Sequence, residues 1–132
     1  MSTSNAITKE DLKNVLNEVL PSGAPVEDIS SSFTFGSSWT PMLKIAYKIG
    51  NLVVFSLEGN AGTIIGGTQY TMATIASGYR PRANTCFTGH TTNSNYVGQG
   101  YVNAWAWTGG DFTIRTSNSN GQYVFVSGCY VI

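Results

Sequence analysis

At 132 residues, with a formal net charge of zero and charged residues at only 11%, the chain has room for one core plus a short appendage, because single cores form in roughly 100 to 150 residues. The Lys and Arg residues do not cluster, which excludes a nucleic-acid partner, since phosphate backbones are held by grouped cations. No apolar run approaches the roughly 18 residues that would cross a bilayer, so no membrane insertion is expected, and the polar residues 1–11 lack a signal-peptide pattern and predict a cytosolic product.

Charge is nonetheless uneven. Up to Ile29, Lys9 and Lys13 face Glu10, Asp11, Glu18, Glu27 and Asp28, whereas beyond it Lys44, Lys48, Arg80, Arg82 and Arg115 face only Glu58 and Asp111. Either the two segments do different jobs or they are two differently solvated surfaces.

In chain order, Thr8 is the expected N-cap of a helix, with Asp11 three residues on as a variant capping box and Ile7 and Leu12 in the places of a hydrophobic staple. Leu12, Val15, Leu16, Val19 and Leu20 recur on one helical stripe, and Pro21 ends it. A helix of about 12 residues is marginal alone. Its stripe therefore needs cover from its own head domain, from symmetry mates or from a groove on a larger assembly. Residues 21–32 combine two Pro with Gly, Ser and acids and are expected to be a linker. The domain reading is thus an anchor or trimerisation helix over 1–20, a linker over 21–32 and a head over 33–132.

Past Phe33, short apolar runs are cut by Gly and Asn about every ten residues, the pattern of a β-sandwich or barrel. Aromatic residues at 12% among many Thr and Val agree with that. Strands are expected near 42–49, 51–59, 70–76, 83–89, 100–107, 111–116 and 122–131. Gly50-Asn51 and Gly109-Gly110 suit tight hairpins. Asn118-Ser-Asn-Gly121 is read as closing the last pair, which makes the C-terminal half a meander with a packed-in terminus. Cys86 and Cys129 lie in apolar surroundings and could be sheet neighbours. They either form a disulfide or, as a reducing cytosol favours, pack as small free hydrophobes. With His90 they offer too few ligands for a metal, and no cofactor is expected.

Three stretches resemble the head domains at the C-terminal ends of tail-fibre, baseplate and minor structural proteins of phages and prophages of Gram-positive bacteria. They are Tyr47-Lys-Ile-Gly-Asn-Leu-Val-Val54, Ile75-Ala-Ser-Gly-Tyr-Arg-Pro81, and Trp105-Ala-Trp-Thr-Gly-Gly-Asp-Phe-Thr-Ile114 followed by Val124-Phe-Val-Ser-Gly-Cys-Tyr130. Their order and spacing cover about ninety residues. The resemblance implies a homotrimer of jelly-roll-like heads whose surface or subunit clefts bind host saccharide. Common members carry a long shaft where this chain has a short helix, which brings a short spike or a capsid-decoration protein into the reading.

Candidate binding residues fall in two stretches. In Tyr101-Val-Asn-Ala-Trp-Ala-Trp107, alternation sets Tyr101, Asn103, Trp105 and Trp107 on one face and Val102, Ala104 and Ala106 on the other. The favoured expectation is that the large residues point into the core. The alternatives are an outward sugar-stacking platform and a trimer interface. The segment 89–99, with His90, Asn93, Asn95 and Tyr96, is expected as a polar exposed loop whose chemistry also suits hydroxyl groups. Arg80 and Arg82 are expected to be solvated. Glycoside cleavage needs two carboxylates at fixed separation, and Glu58 and Asp111 both fall at expected turns, so no catalytic residue is assigned. The combined expectation is an all-β, jelly-roll-like antiparallel β-sandwich head with a short N-terminal α-helix. Its function would be that of a non-enzymatic virion protein, a trimeric fibre, spike or decoration appendage exposed on the particle. It would be held to other virion proteins through Leu12, Val15, Leu16, Val19 and Leu20. A free carbohydrate-binding module or lectin is the alternative.

Overall fold

The computed structural model describes residues 8–19 and 25–132. Helix α1 spans Lys9–Val19. It starts as its sequence predicts: Thr8 Oγ1 accepts from the Asp11 N–H at 3.0 Å while the Thr8 N–H donates to Asp11 Oδ2 at 3.3 Å. Each end of this reciprocal cap satisfies an amide that no helical carbonyl can reach. The staple residue Ile7 lies outside the described residues, as does Leu20.

The rest of the molecule is antiparallel sheet: β1 Val26–Asp28, β2 Phe33–Phe35, β3 Thr40–Ile49, β4 Leu52–Asn60, β5 Gln69–Ile75, β6 Thr85–Thr92, β7 Gly98–Ala106, β8 Asp111–Thr116 and β9 Tyr123–Val131. The order β1-β3-β4-β9-β6-β7-β8-β5-β2 forms one curled nine-stranded sheet, the jelly-roll-like all-β architecture expected. All seven expected strands are present. Gly50, at φ +58, makes the two-residue turn between Ile49 and Leu52, and Gly110, at φ +102, carries the turn between β7 and β8.

Two expectations are corrected. The last strand does not close a meander on β8. It crosses back and lies between β4 and β6, paired along its whole length with β4 and by Tyr123–Phe125 with His90–Thr92 of β6. The linker expectation also fails for its described part. Within 25–32, β1 pairs with β3, and a 3-10 turn at Ser30–Ser32 carries the chain across to β2, which pairs with β5. The two edges of the curled sheet are thereby joined by one short segment. Its fastenings are specific: Ile29 N–H donates to the Ala46 carbonyl at 2.9 Å, Ala46 N–H to Ser30 Oγ at 3.0 Å, and Ala76 N–H to the Ser32 carbonyl at 2.8 Å. Ile29 is 2% exposed and Phe33 fully buried. The polar residues suggested a tether because Ser, Asp and Pro dominate by number, whereas the two apolar side chains among and beside them decide the placement through burial.

Alternate residues of the strands fill the interior. Phe55 is its hub, 4.9 Å from Phe87 and 5.4 Å from Phe112 in edge-to-face pairs, with Phe33 at 5.9 Å and Tyr130 at 6.1 Å. The Tyr130 hydroxyl donates to the Tyr79 carbonyl at 2.6 Å, and burial raises its pKa. Arg82 is exposed, as expected, whereas Arg80 is half-buried. Arg80 Nε donates to the Ile75 carbonyl at 3.0 Å beneath Gly110, and Arg82 donates to the Ile132 carbonyl at 3.2 Å. Arg80 thereby clamps the backbone.

The start of α1 is tied to the sheet edge. Lys9 Nζ lies 2.6 Å from Asp28 Oδ2 and 5.6 Å from the Tyr47 ring centre, and Ser30 N–H and Oγ donate to Asp28 Oδ1 at 3.0 and 2.6 Å. The Lys9 bond and then the Ser30 bonds lower the Asp28 pKa from 3.8 to about 2. A depressed carboxyl pKa contributes stability that is complete above about pH 4 and fades as pH falls towards 2. In an NMR titration, the Asp28 carboxyl should show its midpoint near 2, below the value of about 4 for free carboxyls, and Lys9→Ala should raise it. A midpoint near 4 would remove the link. Leu12 and Val15 are 45% and 53% exposed.

Candidate functional site

Ladder partners share a sheet face. On the outer face a row of cross-strand partners runs Leu43, Glu58, Phe125, His90, Tyr101 through β3, β4, β9, β6 and β7. The next outer row holds Thr88, Asn103, Arg115 and Gln69, and the one after it Cys86, Trp105, Thr113 and Thr71.

The first row is a built aromatic cluster. The His90 ring stacks on Phe125 at 4.8 Å and 7° between planes. Tyr96 reaches over from the β6–β7 turn, 5.4 Å from Tyr123 and 6.4 Å from Phe125. Tyr101, opposite His90, is 57% exposed and Tyr96 63%. Glu58 on one side and Arg115 one row away bring both signs of charge to this face.

The turn that aims Tyr96 is made by Asn93. Its Oδ1 accepts from the Asn95 and Val97 N–H groups at 2.9 and 3.1 Å, and its backbone N–H donates to the Val97 carbonyl at 3.0 Å. Tyr96 takes φ +61, the only left-handed non-glycine among the described residues. That conformation costs an L-residue about 1–2 kcal/mol, and here it tips the phenol over Tyr123 and Phe125. The expected loop 89–99 is therefore shorter than the sequence suggests. Gly89 to Thr92 belong to β6, and Gly98 and Gln99 to β7. Gly89 reads as a loop residue, yet it stays in the strand because β9 runs against it: a Cβ there would collide with the Phe125 carbonyl oxygen. His90 is a strand residue stacked on Phe125, not a loop side chain.

The favoured orientation of β7 is also corrected. Val102, Ala104 and Ala106 are fully buried, while Tyr101, Asn103, Trp105 and Trp107 lie on the outer face. The flanking strands explain the reversal. Ala104 sits between Phe87 and Ile114, and Ala106 beside Phe112, so bulk on both neighbours leaves space only for small residues on β7. The two indoles are half-buried and stacked, with centroids 6.4 Å apart at 26°. Trp107 Nε1 donates to Thr113 Oγ1 at 2.8 Å, which fixes its plane. Tyr101 and Trp105 are four strand residues apart, about 13 Å, with Asn103 between them.

Of the candidate residues, the structure gathers His90, Tyr96 and Tyr101 in one cluster and Trp105 and Trp107 in a second patch on the same strand face. Asn103 joins the patches, Asn93 is occupied by its turn, and Asn95 is exposed at the tip. Tyr123 and Phe125 were missed. Their alternation with Val124 and Val126 marks an outward face, but their approach to His90 depends on β9 entering beside β6, which no local pattern records. Glu58 lies half-buried on β4 and Asp111 exposed at the start of β8, on strands that are not ladder neighbours. The face combines flat aromatic surfaces with amide, hydroxyl and imidazole groups, a set able to stack on and hydrogen-bond a polyhydroxylated ligand.

No family model and no curated protein matches the chain. Among solved structures it is similar to the crystal structure of the receptor binding protein (gp15) of Listeria phage PSA, at 18% identity and a TM-score of 0.60 over 96% of this chain and 80% of that one. The likeness is one of fold.

Proposed function

We propose that this chain is a phage virion protein of non-enzymatic role, a receptor-binding fibre, spike or decoration head that recognises host-surface saccharide through the outer face of β6, β7 and β9. The single observation that carries the reading is the outward-facing aromatic cluster of exposed His90, Tyr96 and Tyr101 with half-buried Tyr123 and Phe125, on a sheet whose fold is similar to that of a phage receptor binding protein. Aromatic rings held by a rigid sheet lose little conformational entropy on binding, which favours them as anchors. Trp105 and Trp107 extend the face, and Asn103 and Asn95 supply amide groups.

The N-terminal helix is the attachment element in this proposal. Leu12 and Val15 leave apolar surface uncovered by the chain's own sheet, and together with Leu16, Val19 and Leu20 they form the stripe that docks on other virion proteins or on two further copies in a homotrimer. The particle surface is then the location of the head. Titration of the purified chain with host cell-wall polysaccharide should change its Trp fluorescence, because Trp105 and Trp107 adjoin the cluster. An unchanged spectrum up to millimolar saccharide would count against the binding face.

A further inference from the structure

We infer that Cys86 and Cys129 form a latent cross-strand disulfide that locks the seam between β6 and β9, a modification that does not depend on the function proposed above. Both thiols are free and exposed. The seam is short, since its ladder pairs only His90 with Phe125, Thr91 with Val124 and Thr92 with Tyr123. Continued in the same antiparallel register, Gly89 falls opposite Val126, Phe87 opposite Gly128 and Cys86 opposite Cys129.

Past the ladder, which ends at His90 and Phe125, the two strands still touch. A Cβ on Gly89 would lie 3.0 Å from Val126 Cγ2, and one on Gly128 would strike the Phe87 ring. Beyond the cysteines the two strands meet again, with the register slipped by two residues, where Arg82 N–H donates to the Val131 carbonyl at 2.8 Å. The two thiols are thus bracketed by backbone contacts. They also share a face: Phe87 and Tyr130 point into the core, so their neighbours Cys86 and Cys129 point out. His90 and Phe125 hold the same relation four residues along, and their rings touch. Directly opposed antiparallel residues have Cα separations of about 4.5–5.5 Å, inside the range of roughly 4.4–6.8 Å that a disulfide accepts.

The chemistry needs a disulfide oxidant. One thiolate attacks oxidised glutathione, forming a mixed disulfide and releasing one glutathione thiol. The second thiolate then attacks the protein sulfur of that mixed disulfide and releases the other. Two protein thiols and one glutathione disulfide become one protein disulfide and two glutathione thiols. The closed loop runs from 86 to 129, long enough for a large gain. A chain matured in a reducing compartment would thereby acquire its lock on leaving it.

The test incubates the full chain with glutathione disulfide at about pH 8, close to the ordinary thiol pKa, followed by intact mass and tryptic mapping. Cleavage after Arg82 and Arg115 places the cysteines on separate peptides, 83–115 and 116–132. The expected product is a monomer lighter by two hydrogens, with those peptides joined. Its melting temperature should rise by on the order of 10 °C and return with dithiothreitol, and Cys129→Ser should show no rise. Stable glutathione adducts on both cysteines, chain-to-chain dimers or unreacted thiols would each overturn the inference.

Discussion

Phe55→Ala is expected to lower stability by about 3–5 kcal/mol, the range for emptying a large aromatic site in a packed core. Phe55 is 3% exposed and its ring contacts four others, Phe33, Phe87, Phe112 and Tyr130. These rings come from β2, β6, β8 and β9, so both halves of the curled sheet meet on this one side chain. Removing it forfeits the burial and leaves a cavity that neighbours on separate strands cannot collapse to fill. A domain of this size has roughly 5–15 kcal/mol in total, so thermal denaturation followed by circular dichroism should show a loss of on the order of 10–15 °C. A change within 3 °C would mean that the core is not organised around Phe55.

Truncation should separate the two parts of the N-terminal region sharply. A chain beginning at residue 25 keeps β1, the 3-10 turn and β2, and is expected to fold with nearly unchanged melting temperature while losing incorporation into particles. A chain beginning at residue 36 loses the segment that joins β3 to β5 and the buried side chains of Ile29 and Phe33. Each such side chain contributes about 1.5–3 kcal/mol, and two sheet edges are left unpaired besides. The shorter chain should therefore be unfolded or molten, visible as collapsed dispersion in a proton NMR spectrum. A well-dispersed spectrum from residues 36–132 would reassign 25–35 to a dispensable tether, and normal incorporation of the 25–132 chain would remove the anchor role.

The sequence was most legible where local chemistry acts alone. Thr8 with Asp11 marks a helix start because the cap is made within one turn, and Gly50 marks a hairpin because few other residues take its φ. What escaped depends on distant partners. The residues of β1 look like tether because their polar side chains are common to loops, and only pairing with β3 makes them a strand. Trp105 and Trp107 suggest core by size, but the inner face of β7 was already filled by Phe87, Phe112 and Ile114 of its neighbours. The candidate site divides in the same way. His90 and Tyr96 stand out as exposed-type residues in a polar stretch, whereas Tyr101 was expected in the core with the indoles, and Tyr123 and Phe125 join the cluster only because β9 crosses back beside β6.

The proposed recognition surface is the aromatic face of β6, β7 and β9. It can be probed by calorimetric titration of purified host cell-wall polysaccharide into the chain and into its Tyr101→Ala, Phe125→Ala double variant. Each ring is worth about 0.5–1.5 kcal/mol by stacking, and tenfold in affinity is about 1.4 kcal/mol. Binding by the unaltered chain is expected, weakened about fivefold or more in the variant, with both folded at the working temperature. Equal affinity in the two, or no binding by the unaltered chain, would contradict it.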